Sequence, residues 1–106
     1  MSDEYLLVIC SCPDNEVPEN LARNLVEKKL AACVNIGGQV TSIYSWQGEV
    51  DQDQERLLFI KTRKAVYPQL EREIIRRHPY ELPEVIALPI KEGHKPYFAW
   101  ITECTS

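Results

Sequence analysis

The sequence has no apolar run long enough to cross a membrane: Tyr5 to Cys10 is about six residues, against the ~20 that a span requires. Its opening, Met1-Ser2-Asp3-Glu4, is acidic where a secretory signal is basic, so neither export nor membrane insertion is expected. A surplus of basic charge is missing too. Twelve Lys and Arg against 16 Asp and Glu leave a net charge of -4, which disfavours nucleic acid as a partner because phosphate backbones are held by clustered cations. The basic cluster Arg72, Arg76, Arg77 is interleaved with Glu71 and Glu73, the pattern of a solvated helix face.

Four cysteines, at positions 10, 12, 33 and 104, lack the dense spacing of a disulfide scaffold. With no export signal, their thiols are expected to stay reduced in the cytoplasm. A phosphate-cradling glycine loop is absent as well, since Gly37-Gly38 sits inside strand chemistry and no Lys-Ser/Thr follows it. Nor do a nucleophile, a base and an orienting group stand in a recognisable motif. Glu81 and Glu84 flank Pro83 as an acid–base pair might, but solvation at the surface is the expected fate. No enzymatic activity is read from the chain.

What is present is ordinary globular composition: 44% hydrophobic and 26% charged residues in 106 positions, enough for a single domain, 1-106, around one core. The continuous apolar run Tyr5 to Cys10 predicts a strand buried on both faces. Asp14 or Asn15 is placed to cap a helix with Pro18 in its first turn, and Val17, Leu21, Ala22, Leu25, Val26 and Leu30 recur at helical spacing. Ala32 to Ile36 returns to strand chemistry, Gly37-Gly38 predicts a bulge, and Val40 to Trp46 carries on with β-branched and aromatic residues. Gln47-Gly48 is a two-residue turn signal before a polar segment, Glu49 to Glu55, that runs into Arg56 to Thr62. The outcome is a hairpin too long and too polar at its far end for this chain to shelter, which predicts association with other copies.

The stretch from His78 to Ile90 combines a helix stop, a rigid corner and an apolar strand, with a lone imidazole at the joint. A second helix follows Pro68, with Val66, Leu70 and Ile74 at steps of four, and Pro79 ends it at His78. Glu84 to Ile90 is a last strand, with Pro89 suited to an edge. Pro96 opens a terminal helix whose Tyr97, Trp100, Ile101 and Cys104 are expected to turn inward. The order is β-α-β-β-α-β plus a C-terminal helix: an α+β, ferredoxin-like (split β-α-β) antiparallel sheet with two helices on one face.

Leu30-Ala31-Ala32-Cys33-Val34-Asn35, Ser42 to Gly48, Ile60-Lys61-Thr62, and His78-Pro79-Tyr80 with Pro83-Glu84 together resemble the CutA family of divalent-cation-tolerance proteins, over nearly the whole chain. The resemblance implies a homotrimer whose long hairpins cross the subunit boundaries, a link to tolerance of copper and other divalent ions, and no enzymatic activity; eukaryotic relatives are associated with anchoring of acetylcholinesterase. In bacterial relatives the copper ligands are a cysteine ending the first strand and two consecutive histidines before Pro-Tyr, which fall on Cys10, Arg77 and His78 here. Arg77 breaks that pattern, because a guanidinium is a permanent cation and cannot ligate a metal.

The candidate metal residues are therefore Cys10 and His78, with Cys12 two positions along the same strand able to supply a second soft thiolate for copper. Each has a plainer reading. Cys10 and Cys33 suit a core as small hydrophobes, Cys12 beside Pro13 is expected to be exposed, and His78 suits a helix C-terminus. His94 is expected to serve only in a connecting loop. Tyr44, Trp46, Lys61, Glu84 and Tyr97 make a candidate intersubunit cleft for a small anionic or zwitterionic ligand, or else aromatic anchors of the trimer. Two functions follow: a trimer for divalent-metal tolerance that binds copper weakly, or a trimeric scaffold or small-molecule signalling protein whose metal link is indirect. Trimeric signalling proteins of the PII type share the general architecture and bind effectors between subunits, an analogy of fold alone.

Overall fold

In the computed structural model, which describes residues 4–106, seven elements follow one another: β1 (Tyr5–Pro13), α1 (Val17–Glu27), β2 (Cys33–Trp46), β3 (Glu49–Arg63), α2 (Tyr67–Arg77), β4 (Val85–Ile90) and α3 (Lys95–Cys104). The acidic opening Met1-Ser2-Asp3 lies outside the described residues. The four strands form one antiparallel sheet in the order β2-β3-β1-β4, the split β-α-β arrangement with β1 in mid-sheet.

Each helix begins with proline at its second position, where a missing amide hydrogen costs nothing. The N-cap of α1 is Glu16, without a side-chain cap; one residue earlier, Asn15 Oδ1 accepts the Val17 N–H at 2.9 Å, in place of the capping by Asp14 or Asn15 expected from the sequence. The helix ends in a left-handed turn at Lys29 (φ 60°), with Leu30 N–H donating to the Leu25 carbonyl at 2.9 Å and Lys29 N–H to Val26 at 3.0 Å. Leu21 and Leu25 of α1, and Leu70 and Ile74 of α2, meet Leu6, Val8, Cys10, Cys12, Leu58 and Ile60 of the sheet in one buried cluster. The even-numbered residues of β1 and β3 thus face these two helices.

Strand β1 runs on past Cys10, because β3 pairs with it through Cys12↔Arg56 and Pro13↔Glu55. This overturns the expectation that Cys12 is exposed: it is fully buried. The other face of β1 is only half-buried, in contrast to the double burial expected of the apolar run. There Phe59, Ile9 and Ile86 lie side by side in register, as do Leu7 and Leu88, with Ile86 52% and Leu88 46% exposed. Helix α3 covers a part of this face near Tyr5, whose ring stacks on Phe98 at 4.4 Å. Of the α3 residues expected to turn inward, Ile101 is buried, whereas Tyr97 and Trp100 stay exposed.

The bulge predicted at Gly37-Gly38 is present as a register shift between Ile36 and Gln39. A Cβ at Gly37 would stand 3.2 Å from the Leu57 carbonyl oxygen, closer than a side chain readily tolerates. Beyond Glu55, β3 has only β2 for a partner among the described residues, so Glu49 to Gln54 and Thr41 to Trp46 project as a two-stranded ribbon closed by Gln47 (φ 51°) and Gly48 (φ 83°). Positive φ at both central residues is the geometry that matches strand twist.

Candidate metal centre

Helix α2 buries Leu70 and Ile74 on one side, and it stops at His78 because Pro79 forces the preceding residue into extended geometry (φ -74°, ψ 136°). That stop drops the imidazole onto the end of β1. The Sγ atoms of Cys10 and Cys12 and a ring nitrogen of His78 all lie within 4.8 Å of one another, and all three residues are buried. Two residues apart on a strand, the thiols share the helix-covered face; the helix stop supplies the third donor.

His78 Nδ1 accepts the Tyr80 N–H at 3.2 Å, so Nε2 carries the proton and donates it to the Ser11 carbonyl at 2.7 Å. Burial pulls the His78 pKa down, but hydrogen bonding to Cys12 and to the Ser11 carbonyl outweighs it and holds the pKa above its ordinary value. Between the thiols, a hydrogen bond from Cys10 brings the Cys12 pKa down to about 6, helped by His78 and opposed by burial. The same bond, with burial, holds Cys10 well above the usual thiol range. The pair therefore loses its first proton at Cys12, and that thiolate is the group with metal-binding character.

The donors are two sulfurs and one imidazole, a soft set that suits Cu(I) better than hard cations. Nδ1 is the ring atom that a metal reaches without removing a proton, at the loss of the longer hydrogen bond. Arg77 turns away along α2, its Nε donating to Glu73 at 2.5 Å, so the position where bacterial relatives are expected to hold a second histidine contributes nothing here. His94 is exposed at the start of α3, and Cys33 is half-buried at the sheet rim rather than in the core, 4.0 Å from the Lys61 Nζ.

The candidate cleft residues fall into two groups within one chain. Tyr44, Trp46 and Glu84 line a cavity of about 650 Å³ at the hairpin end of the sheet. Lys61 sits at the opposite end of β2, bonded to Asn35 and beside Cys33, and Tyr97 interacts with Cys33 there. Tyr80, of the His78-Pro79-Tyr80 motif, also lines the cavity, as do Glu55 and Asp53, which carry none of the sequence motifs. The alternation Asp51-Gln52-Asp53-Gln54-Glu55 was the available signal, since it puts three carboxylates on one strand face.

The class of protein defined here is a ferredoxin-like subunit with a soft sulfur and imidazole cluster at the end of its first strand. The chain belongs to the CutA1 divalent ion tolerance protein family, whose model matches residues 6–104. It is 48% identical over 99 residues to the divalent-cation tolerance protein CutA of Thermus thermophilus, covering 93% of this chain and 96% of that protein. It is 46% identical over 95 residues to mouse CutA, covering 90% of this chain but only 54% of that protein, so it spans about half the length of the mammalian relatives. Among solved structures, the Thermus thermophilus Cut A1 protein superposes with a TM-score of 0.94 at 47% identity, covering 96% of this chain and 99% of that one. Rice CutA1 gives 0.94 at 41% identity, covering 97% and 94%. A relative in Arabidopsis thaliana is named chloroplastic and one from Archaeoglobus fulgidus periplasmic.

Proposed function

We propose that this chain is a non-enzymatic divalent-cation tolerance protein, acting as a cytoplasmic homotrimer, that holds copper as Cu(I) through Cys12, Cys10 and His78. The observation that carries the reading is the convergence of two thiols and an imidazole within 4.8 Å in a buried corner. Copper would be bound there as cargo, with Cys12 as the thiolate and Cys10 losing its proton on binding. A thiol beside an imidazole also suits a nucleophilic catalyst. Full burial of Cys12, and His78 at 8% exposure, deny a substrate access and support storage or sensing instead. Assembly is supported by the half-buried apolar face of the sheet and by the unsheltered ribbon, and reduced thiols agree with a cytoplasmic setting.

Competition of the reduced protein against a Cu(I)-specific chromophoric chelator tests the reading. Cys12→Ser and His78→Gln should each weaken binding about tenfold or more. Affinity equal to that of the parent in both variants would remove the site.

A second reading is favoured by the division of the cleft residues. Tyr44, Trp46 and Glu84 stand at one end of β2 and Lys61 and Tyr97 at the other, so only a neighbouring copy could complete a five-residue cleft from them. A trimeric scaffold or signalling protein would use such clefts, with metals acting indirectly. Melting shifts with metabolites and none with copper would favour it over the first.

A further inference from the structure

Strand β4 ends at Val85, opposite Cys10, so from Ser11 to Pro13 β1 is paired with β3 on one side and has no strand on the other among the described residues. Side chains close that gap instead. His78 Nε2 donates to the Ser11 carbonyl at 2.7 Å, the Tyr80 ring lies against the imidazole with centroids 4.6 Å apart, and the Tyr80 hydroxyl donates to Glu55 Oε2 at 2.8 Å. Glu55 stands opposite Pro13 on β3 and is itself buried. Tyr80 thus reaches across the end of β1, from the imidazole to the next strand.

The connection that carries Tyr80, residues 79–84, has no regular secondary structure. Among the described residues, both hydrogen bonds that it makes come from Tyr80: the hydroxyl to Glu55, and the N–H to His78 Nδ1 at 3.2 Å. Pro79, Glu81, Leu82 and Glu84 are exposed, Leu82 to 72%. A segment with so few buried contacts and hydrogen bonds opens locally at far less cost than the fold as a whole. The Tyr80 N–H also occupies the ring nitrogen through which a metal would be held, so the closed connection and a metal ion compete for Nδ1. Cys10 and Cys12 are fully buried, and an ion reaches them only through a transient opening.

We propose that residues 79–84 are a strap over the sulfur and imidazole corner, latched by the Tyr80–Glu55 hydrogen bond, and that ions enter while the latch is open. The identity of the ion rests on the copper reading above; the strap itself is read from thiol exposure without metal. Tyr80→Phe keeps a ring against His78 and removes the latch alone. Without the hydroxyl, the closed form leaves a buried carboxylate short of its donor, a penalty that opening relieves by hydration. A closed form that excludes the ion lowers apparent affinity in proportion to the open fraction, so unlatching should speed uptake without weakening binding. Loss of a residue that merely positions His78 would weaken it.

Reaction of dithiodipyridine with the buried thiols, in the metal-free full chain carrying Cys33→Ser and Cys104→Ser, tests the strap. Tyr80→Phe should react about tenfold faster than the parent or more, Glu55→Gln, which keeps an acceptor, by a smaller factor, and Glu81→Gln on the same connection at the parent's rate. All rates should be nearly flat in low urea, because local opening exposes little surface. Cu(I) transfer from a chromophoric chelator should accelerate in Tyr80→Phe by a similar factor, with affinity equal to or above the parent's. An unchanged thiol rate in Tyr80→Phe, a rise that depends on urea as steeply as global unfolding does, or weaker Cu(I) binding overturns the proposal. A thiol rate that grows as the parent is diluted overturns it too, because a neighbouring copy would then close the corner. Absence of Cu(I) binding from the parent would remove the copper reading alone, and the thiol rates would still decide the strap.

Discussion

Cys10 and Cys12 present their sulfurs to the same helix-covered face, and His78 closes that corner from the end of α2. One proton shared between two thiols costs less than two separate ionisations, which is why Cys12 titrates early while Cys10 does not. Thiolate absorbance near 240 nm should therefore rise as pH increases through about 6, by the equivalent of one thiol, and Cys12→Ser should abolish that step. A first thiolate appearing only above pH 8 would contradict this account. The sequence showed which residue types stood at positions 10, 12 and 78, and the strand spacing put the two thiols on one face. It did not show where β1 ends. Pro13 reads as a boundary that exposes Cys12, yet Pro13 still pairs opposite Glu55, and burial follows from the length of β3 rather than from the residues around the cysteine.

At the scale of elements, α2 shows how a charge pattern becomes structure. Glu73 gathers the Arg77 Nε at 2.5 Å, an Arg76 amine at 2.9 Å and, from α1, the Lys28 Nζ at 2.9 Å. Arg77 foremost, then Arg76 and Lys28, hold the Glu73 carboxyl down to about 2 from an ordinary 4.5. A depressed carboxyl pKa adds stability above the unfolded value and loses it as pH falls toward the folded one. The urea midpoint of Glu73→Gln should therefore lie below that of the parent at pH 7, and the gap should narrow between pH 4.5 and 2 and shrink in high salt. A gap independent of pH would assign the effect to packing. The helix itself was legible because Pro68, the four-residue apolar steps and Pro79 all act locally. Helix α3 was half-legible: Tyr97, Trp100 and Ile101 share helical spacing, but one helix face has little sheet left to cover and only Ile101 reaches it.

At the scale of the whole molecule, the sheet is incomplete in three places. Among the described residues, its edge strands β2 and β4 each have one unpaired side, the ribbon beyond Glu55 has no third strand, and the face away from α1 and α2 leaves Ile86 and Leu88 about half exposed beside half-buried Ile9 and Phe59. A two-stranded ribbon is marginal alone in water, and open apolar edges invite pairing with another chain. The apolar run of β1 had announced two covered faces, and the chain covers only one of them with α1 and α2. Three copies are the expected assembly, and equilibrium sedimentation of the reduced protein should report a mass three times that of the chain at micromolar concentration. Replacing Ile86 and Leu88 together by lysine discriminates the causes, since in an isolated subunit these exposed positions should each change stability by only about 0.5 kcal/mol. If the apolar face is a boundary between copies, the double variant should sediment as a monomer with its helical circular dichroism retained. Leu58→Ala should instead destabilise the subunit itself by about 2–5 kcal/mol, because Leu58 is fully buried in the core. A parent protein that sediments as a stable, folded monomer would mean that the exposed row is surface, and the proposed trimer would fall with it.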